Sequence, residues 1–424
     1  MKISQILARR IWDSRGRPTV EVEVINQDGS IGVGVAPAGA SMGTREAVEL
    51  RDGGARFKGL DVQSALHGIT REIAPALVGR EVQDQAGIDA ALIALDGTPN
   101  KSRLGGNALI ATSLAVLHAA AAQARLPLWQ YLAQGRPVQL PLPQIQIFGG
   151  GAHAGRRVDV QDFMVIATGA RSFAQALEMT AEVYRSAGEI MAARGLLAGV
   201  ADEGGWWPSF ARNEEALDTL VEAIEKAGFA PGTEVAIALD IAASEFGSGG
   251  RYRLALENQA MDSDALCERL VRWTERYPIV SIEDPLAEDD EAGLVAFTRA
   301  VGHRVQVVGD DYLVTDAARV RNAAALGACN CALIKPNQAG TVTETRAALD
   351  AAQALGIRTI VSARSGETED VAIVHLATGW NAGQLKVGSF ARSERMAKWN
   401  EALRIEGRPG APDSFAGAAV LAGR

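Results

Sequence analysis

Six short β-branched segments in the second half of the chain end on polar or charged residues. In order, these residues are Asp240, Glu283, Asp310, Lys335, Arg364 with Ser365, and Lys386. One carboxylate at a strand end often caps the next helix, but three from consecutive strands would meet in one small volume. Their mutual repulsion is costly unless a cation lies between them. Oxygen ligands without histidine or thiolate favour Mg²⁺ over zinc, so the first three carboxylates predict a magnesium site. The alternative is three solvated strand ends.

Lys335 follows an apolar segment, although lysine is seldom buried unless it is paired or functional. Beside a divalent cation and Lys386, its ammonium form would be destabilised and its pKa lowered, which would make it a base near neutral pH. A lysine base next to a carboxylate-bound metal could remove a proton α to a carboxylate, because the metal stabilises the enediolate that results. The alternative is that both lysines are counter-ions of the acidic cluster.

The spacing of the strand ends predicts the architecture that brings these side chains together. The ends at Glu283, Asp310, Lys335, Arg364 and Lys386 are 27, 25, 29 and 22 residues apart, which is the length of a strand–helix unit. Six such units favour a (β/α) barrel, in which functional residues lie at the carboxyl ends of the strands. A doubly wound open sheet is the alternative.

Helix signals occur between these strands. Two helical segments close on glycines suited to a helix C-terminus, Gly327 and Gly356. Thr341 and Glu344 have the spacing of a capping box at the start of the second segment. Strands and helices therefore alternate, as a barrel requires.

The first third of the chain has a different pattern. The alternating stretch "TVEVEV" followed by "NQDGS" predicts a strand that enters a hairpin turn, and helical sequence follows from about residue 86 to 133. Three prolines then come in quick succession, at Pro137, Pro141 and Pro143. We expect an N-terminal α+β domain over residues 1–136 and a barrel domain over residues 137–424.

Composition limits the class of protein. A chain of 424 residues that is 47% hydrophobic and 22% charged can bury a large core. Its net charge of −9 argues against nucleic acid or anionic lipid as the main partner, yet a local cationic pocket could still bind a small anion. Cys267, Cys329 and Cys331 have neither disulfide nor metal spacing, which indicates structural thiols and a cytoplasmic location.

Membrane and export signals are also weak. The first residues show no apolar stretch with a small-residue cleavage site, so we expect no signal peptide. The longest apolar run, "ALIATSLAVLHAAAA", falls short of the roughly 20 residues that a bilayer requires. We interpret this run as a buried helix and expect no membrane partner.

Twelve stretches carry a more specific signal. They are "DSRGRPTVEVEV", "GASMG", "LDGTPNKSRLGGNA", "GAHAG", "DEGG", "AIEKAG", "ASEF", "SIEDPLAEDD", "VVGDDYLVT", "IKPNQAGTVTET", "RSGETED" and "ARSERMAKWNEALRIE". Together they make the chain resemble the enolase (phosphopyruvate hydratase) family over nearly its whole length. The resemblance implies an N-terminal α+β capping domain with lid loops, a modified (β/α)8 barrel, and a homodimer or higher homo-oligomer. The implied activity is the glycolytic dehydration of 2-phosphoglycerate, a small phosphorylated anion, to phosphoenolpyruvate.

The same resemblance assigns roles to individual residues. It makes Lys335 the base that takes the C2 proton, and Glu203 the acid that protonates the departing 3-hydroxyl. It also implies two Mg²⁺ sites, and the substrate completes the coordination of the second ion. The implied metal ligands are Asp240, Glu283, Asp310 and, for the second ion, Ser41.

The remaining implied residues bind the substrate or assist the acid. Arg364 and Ser365 match the phosphate-binding pair, and a guanidinium fork suits a phosphoryl group. Lys386 matches the lysine that holds the substrate carboxylate, and His153 matches the lid histidine. Asp162 stands where the family usually has a glutamate that assists the acid.

Several positions depart from the family pattern. Ala363 replaces a histidine on the substrate side, and Met42 and Phe148 replace polar residues. Trp206 and Trp207 enlarge the loop after Glu203. We expect these changes, with Asp162, to cluster around the substrate and to leave metal and base intact.

Three functions fit this pattern. The first is dehydration of 2-phosphoglycerate, favoured because the metal, base, acid and phosphate positions are kept. The second is a related enzyme acting on another phospho- or phosphonate compound, such as a carboxyphosphonoenolpyruvate synthase. The third is a non-catalytic binding protein with the same fold.

Overall fold

The computed structural model describes residues 1–40, 43–412 and 414–423. Ser41 and Met42, for which the sequence predicts a metal-binding and a lid role, lie outside the described residues.

The N-terminal region begins with a three-stranded antiparallel sheet of β1 (Ile3–Trp12), β2 (Pro18–Asn26) and β3 (Ile31–Val35), with β2 in the middle. The valines of "TVEVEV" are buried and alternate with partly exposed residues, as expected for a strand with one face on a core. The predicted strand and hairpin are therefore confirmed.

Helices follow this sheet along the chain, and several of them pack on it. They are α1 (Gln63–Gly68), α2 (Ala74–Leu77), α3 (Gln85–Asp96), α4 (Gly106–Gln123) and α5 (Leu128–Ala133), with a π-helical turn over Ile69–Ile73. The apolar run forms α4, most of which is buried. A Cβ at Gly34 would lie 2.3 Å from the carbonyl oxygen of Ala111 on α4, so glycine permits the close contact between sheet and helix.

The rest of the chain is built around a closed eight-stranded barrel. Its strands, in spatial order, are β5 (Leu142–Gly149), β6 (Asp162–Ile166), β7 (Ala236–Asp240), β11 (Ile279–Glu283), β12 (Gln306–Gly309), β13 (Cys331–Ile334), β14 (Arg358–Ser362) and β15 (Gly383–Ser389). The predicted barrel is confirmed, and the open-sheet alternative is wrong. It is a modified barrel, because β6 is antiparallel to both of its neighbours, whereas the other neighbouring pairs are parallel.

Minor strands and outer helices complete this region. The minor strands are β4 (Gln139–Leu140) with β16 (Ser414–Phe415), and the small sheet of β8 (Gly247–Ser248), β9 (Arg251–Leu254) and β10 (Gln259–Asp262). The helices are α6 (Phe173–Ala193), α7 (Asn213–Lys226), α8 (Ser263–Arg276), α9 (Glu291–Val301), α10 (Ala317–Leu326), α11 (Pro336–Ala339), α12 (Val342–Ala354), α13 (Ala372–Gly379) and α14 (Ser393–Glu406).

The predicted helix boundaries are confirmed. Gly327 and Gly356 have φ angles of 68° and 72°, in the left-handed region that favours glycine after a helix. The Thr341 hydroxyl accepts the N–H of Glu344 at 3.2 Å and donates to the Glu344 carboxylate at 2.8 Å. No helix within the described ranges has the length and apolar character needed to cross a bilayer.

Candidate active site

The predicted residues meet at one end of the barrel. Asp240 and Glu283 are the last residues of β7 and β11, Asp310 and Lys335 directly follow β12 and β13, and Lys386 lies within β15. All five are buried. A narrow cleft is lined by Asp240, both lysines and most of the other predicted residues, including His153, Asp162, Glu203, Arg364 and Ser365.

Lys386 lies between carboxylates from different strands. Its Nζ is 2.9 Å from Asp240 Oδ2, 2.9 Å from both carboxylate oxygens of Glu283 and 3.5 Å from Asp162 Oδ2. Burial lowers the pKa of Lys386, but the surrounding negative charges outweigh burial and raise the pKa well above its usual value. Lys386 is therefore a fixed cation at the centre of this acidic group.

Lys335 pairs with Asp310, whose other oxygen accepts a hydrogen bond from Gln338 Nε2 at 2.9 Å. The backbone N–H of Lys335 donates to Thr315 Oγ1 at 2.9 Å. Burial lowers the pKa of Lys335, but the negative charges around it, chiefly that of Asp310, outweigh burial. The protein's own groups therefore raise the pKa of Lys335 above its usual value. The predicted fall applies to a site that also holds a divalent cation, so this direction does not test it. The ion pair has the geometry of the counter-ion alternative, and a lowered pKa stays a prediction for the metal-loaded site.

The donor set fits a hard divalent cation. Burial and the charge of Asp240 raise the pKa of Glu283 well above its usual value, although Lys386 opposes this shift. The protein's own cations thus leave negative charge in the cleft that a further cation would stabilise. The ligands available are carboxylate oxygens, which Mg²⁺ prefers.

Among the described residues, two groups have metal-ligating atoms within 4.8 Å of one another: Asp284 with Asp310 and Asp311, and His153 with Asp162 and Glu203. The predicted trio of Asp240, Glu283 and Asp310 is not one of these groups, so its joint metal site stays a prediction. Asp284 accepts the backbone N–H groups of Asp310 and Asp311, both at 2.8 Å. Asp284 therefore fixes the turn that carries Asp310.

His153 joins the substrate side of the cleft. Its Nδ1 is 3.1 Å from Asp162 Oδ1, its Nε2 is 2.9 Å from Ser365 Oγ, and Nε2 is 3.7 Å from Glu203 Oε1. Burial lowers the pKa of His153, but the charges of Glu203 and Asp162 outweigh it and raise the pKa to about 9. The imidazolium form therefore links two carboxylates with the predicted phosphate-binding serine.

Asp162 reaches the cleft because β6 is reversed. It is the first residue of β6 and pairs in register with Asp240, the last residue of β7. Sequence spacing did not predict this placement; the family resemblance pointed to the residue.

The sequence pattern did not predict several buried partners of the cleft, and Glu46 and Gln338 are two of them. Glu46, from the N-terminal region, accepts Arg364 Nη1 at 3.0 Å and Gln338 Nε2 at 3.3 Å. Gln338 also binds Asp310 and accepts the Thr315 hydroxyl at 2.7 Å. Gln338 could have been found three residues after Lys335, but periodicity gives no signal that Glu46 reaches across to the barrel.

The departures from the family pattern separate into two groups. Ala363 and Asp162 line the cleft. Phe148 packs edge-on against Phe210 with ring centroids 5.4 Å apart. Trp206 stacks on Tyr184 at 4.6 Å, and the Arg157 guanidinium lies 5.2 Å from the Trp207 ring. Phe148 and both tryptophans are thus not among the residues that line the cleft, and the expectation that these changes cluster around the substrate stays a prediction.

The closed barrel and its buried carboxylates, lysines and arginine define an α/β-barrel enzyme with a cluster of ionisable groups at the carboxyl ends of the strands. Residues 137–423 match the family model described as "Enolase, C-terminal TIM barrel domain", and residues 3–132 match "Enolase, N-terminal domain". The chain is 47% identical over 424 residues to Enolase 1 of Desulfitobacterium hafniense (strain Y51). The aligned residues cover 99% of this chain and 97% of that protein. The chain belongs to the enolase family.

Proposed function

We infer that the chain is a hydro-lyase that dehydrates 2-phosphoglycerate to phosphoenolpyruvate. The observation that carries this function is the convergence of Lys335, Glu203 and Arg364 in one buried cleft beside three carboxylates, in a chain of the enolase family. A different phosphonate substrate and a non-catalytic role are not favoured, because the family match spans both regions and the acid–base residues are kept.

Lys335 is the proposed base. Its neutral amine would accept the C2 proton, and the electron pair of that C–H bond would pass into the carboxylate to form an enediolate. Mg²⁺ held by Asp240, Glu283 and Asp310 would supply positive charge that stabilises the enediolate. Gln338 and Thr315 would keep Lys335 and Asp310 in place through their hydrogen bonds.

Glu203 is the proposed acid. The enediolate electron pair would form the C2=C3 double bond while the 3-hydroxyl departs with a proton from Glu203, so that one water leaves. His153 and Asp162 lie next to Glu203 and would orient it.

Substrate binding is assigned to the cationic and hydroxyl groups of the cleft. Arg364 and Ser365 would hold the phosphate, and Lys386 the carboxylate. Ser41 would bind a second Mg²⁺, whose coordination the substrate would complete.

In addition, we propose a domain boundary between residues 136 and 137, a homodimer or higher homo-oligomer, and a cytoplasmic role in glycolysis.

Lys335→Ala provides the test of the proposed reaction. With Mg²⁺ and 2-phosphoglycerate, the unmodified chain should form an enol phosphate that is followed by its ultraviolet absorbance. In deuterated water it should also exchange the C2 hydrogen of the substrate. Lys335→Ala should abolish both reactions, because no other group is proposed to take the C2 proton.

The matched control is Lys101→Ala, which also loses a lysine–carboxylate pair, with Nζ 2.8 Å from Glu344 Oε1, but lies outside the cleft. It should retain exchange. Unchanged exchange in Lys335→Ala would contradict the assignment of the base, whereas an unmodified chain without Mg²⁺-dependent product would contradict the function.

A further inference from the structure

We propose that Gln146 is a positioning residue whose single side-chain amide fixes Asp162 and the turn that carries Glu203 relative to each other. Gln146 lies on β5 and is 1% exposed. The inference rests on the proposed function and deepens it, because it concerns the step in which the hydroxyl group departs.

Both ends of the Gln146 amide are engaged. Nε2 donates to Asp162 Oδ1, the oxygen that also faces His153 Nδ1 at 3.1 Å. Oε1 accepts the backbone N–H of Gly205 at 2.8 Å. Turning the amide over would set its oxygen against a carboxylate and its N–H against another N–H, so the hydrogen-bond pattern allows one orientation.

The "DEGG" turn is shaped to receive this amide. A Cβ at Gly205 would lie 2.3 Å from Gln146 Oε1, and Gly204 has a φ angle of +94°, which favours glycine. The carbonyl of Glu203 accepts the N–H of Ser389 at 2.8 Å, and that of Gly204 accepts the Tyr184 hydroxyl at 2.9 Å. The turn is therefore held at Glu203 by β15, at Gly205 by Gln146 of β5, and at Gly204 by Tyr184 of α6.

This arrangement separates two halves of the proposed reaction. Glu203 and Asp162 would act on the departing hydroxyl, whereas Lys335 would act on C2. Lys335 follows β13, which is three strands from β5 in the barrel order, and its hydrogen bonds are to Asp310 and Thr315. A small displacement of an acid from its reacting group can cost about 100-fold in rate. Disturbing Gln146 should thus slow loss of the hydroxyl and spare removal of the C2 proton.

The test is Gln146→Glu in the full chain with Mg²⁺ and 2-phosphoglycerate. Glutamate keeps the length and the acceptor for Gly205 but replaces the donor to Asp162 with an oxygen. We expect enol phosphate formation to fall about 10-fold to 100-fold while C2 exchange in deuterated water stays within about twofold, so that the ratio of exchange to dehydration rises. Gln146→Asn keeps both groups on a shorter side chain and should raise the same ratio by less.

Gln144→Glu is the matched control. Gln144 lies two residues earlier on β5, is also 1% exposed, and donates to Gln384 Oε1 at 2.9 Å instead of to Asp162. Its substitution should change thermal stability without changing the ratio. Equal losses of exchange and dehydration in both Gln146 variants, or the same ratio change in Gln144→Glu, would overturn the inference. Absence of both reactions in the unmodified chain would overturn the proposed function, and this inference with it.

Discussion

Lys386 and Lys335 divide the buried carboxylates between them. Lys386 contacts Asp240 and Glu283, and Lys335 contacts Asp310. Removing one lysine would leave buried negative charge without its partner, which is strongly destabilising in general. The strand-end pattern predicted which side chains would meet, because parallel strands present their carboxyl ends on one side. It did not predict which lysine would pair with which carboxylate, since this depends on the barrel order and on side-chain reach.

Ala363 gives the first prediction at the residue scale. It lines the cleft beside Arg364 and Ser365, where a histidine would add a hydrogen-bond donor toward the substrate. Loss of a donor that acts on the transition state commonly costs about 100-fold in rate. Ala363→His should therefore raise kcat/KM for 2-phosphoglycerate, measured by enol phosphate formation.

A carboxylated phosphonate analogue serves as the comparison substrate in that experiment. A gain on 2-phosphoglycerate together with a loss on the analogue would indicate that the space at Ala363 admits a bulkier substituent. No change on either compound would mean that position 363 does not govern specificity.

The direction of β6 is the main feature at the element scale. Because β6 is antiparallel to its neighbours, its first residue, and not its last, lies at the active end of the barrel. Alternating or continuous apolar patterns identify a strand but not its direction. This is why the repeated strand–helix spacing predicted the barrel and, to within one residue, the ends of β11, β12 and β13, whereas Asp162 required the family resemblance. The ends of β14 and β15 differ by two and three residues from the predicted Arg364 and Lys386.

Helix α12 gives a prediction about an element's boundary. Thr341 caps the helix with its hydroxyl, which accepts the N–H of Glu344 at 3.2 Å. Thr341→Ala should lower the free energy of unfolding by about 1 kcal/mol, because that N–H loses its partner. Urea titration would measure the change, with the slope against urea unchanged. Thr341→Ser keeps the hydroxyl and should retain most of the stability; an equal loss in both variants would exclude capping as the cause.

At the scale of the whole molecule, the N-terminal region takes part in the barrel's active end. Glu46 pairs with Arg364 across the two regions, and Asp89 of α3 accepts the N–H of Thr343 at 2.9 Å at the start of α12. The proline cluster and the change of periodicity predicted two regions from the sequence. Such patterns describe each region by itself, so they could not show that a carboxylate from the first would hold the predicted phosphate-binding arginine of the second.

The last prediction concerns magnesium and the stability of the whole chain. An ion bound only by the folded state stabilises it by about 2.7 kcal/mol at 100 times its dissociation constant, which for a chain of this size corresponds to a rise of roughly 3–5 °C in Tm. If Asp240, Glu283 and Asp310 form one site, replacing any of them with alanine should remove most of this Mg²⁺-dependent rise. Each variant also loses a partner of Lys386 or Lys335, so the quantity to compare by calorimetry is the difference in Tm with and without Mg²⁺. Asp350→Ala, which removes a partly exposed pair with Arg346 on α12, should keep the full rise. An undiminished rise in all three cleft variants would show that these carboxylates do not share one ion.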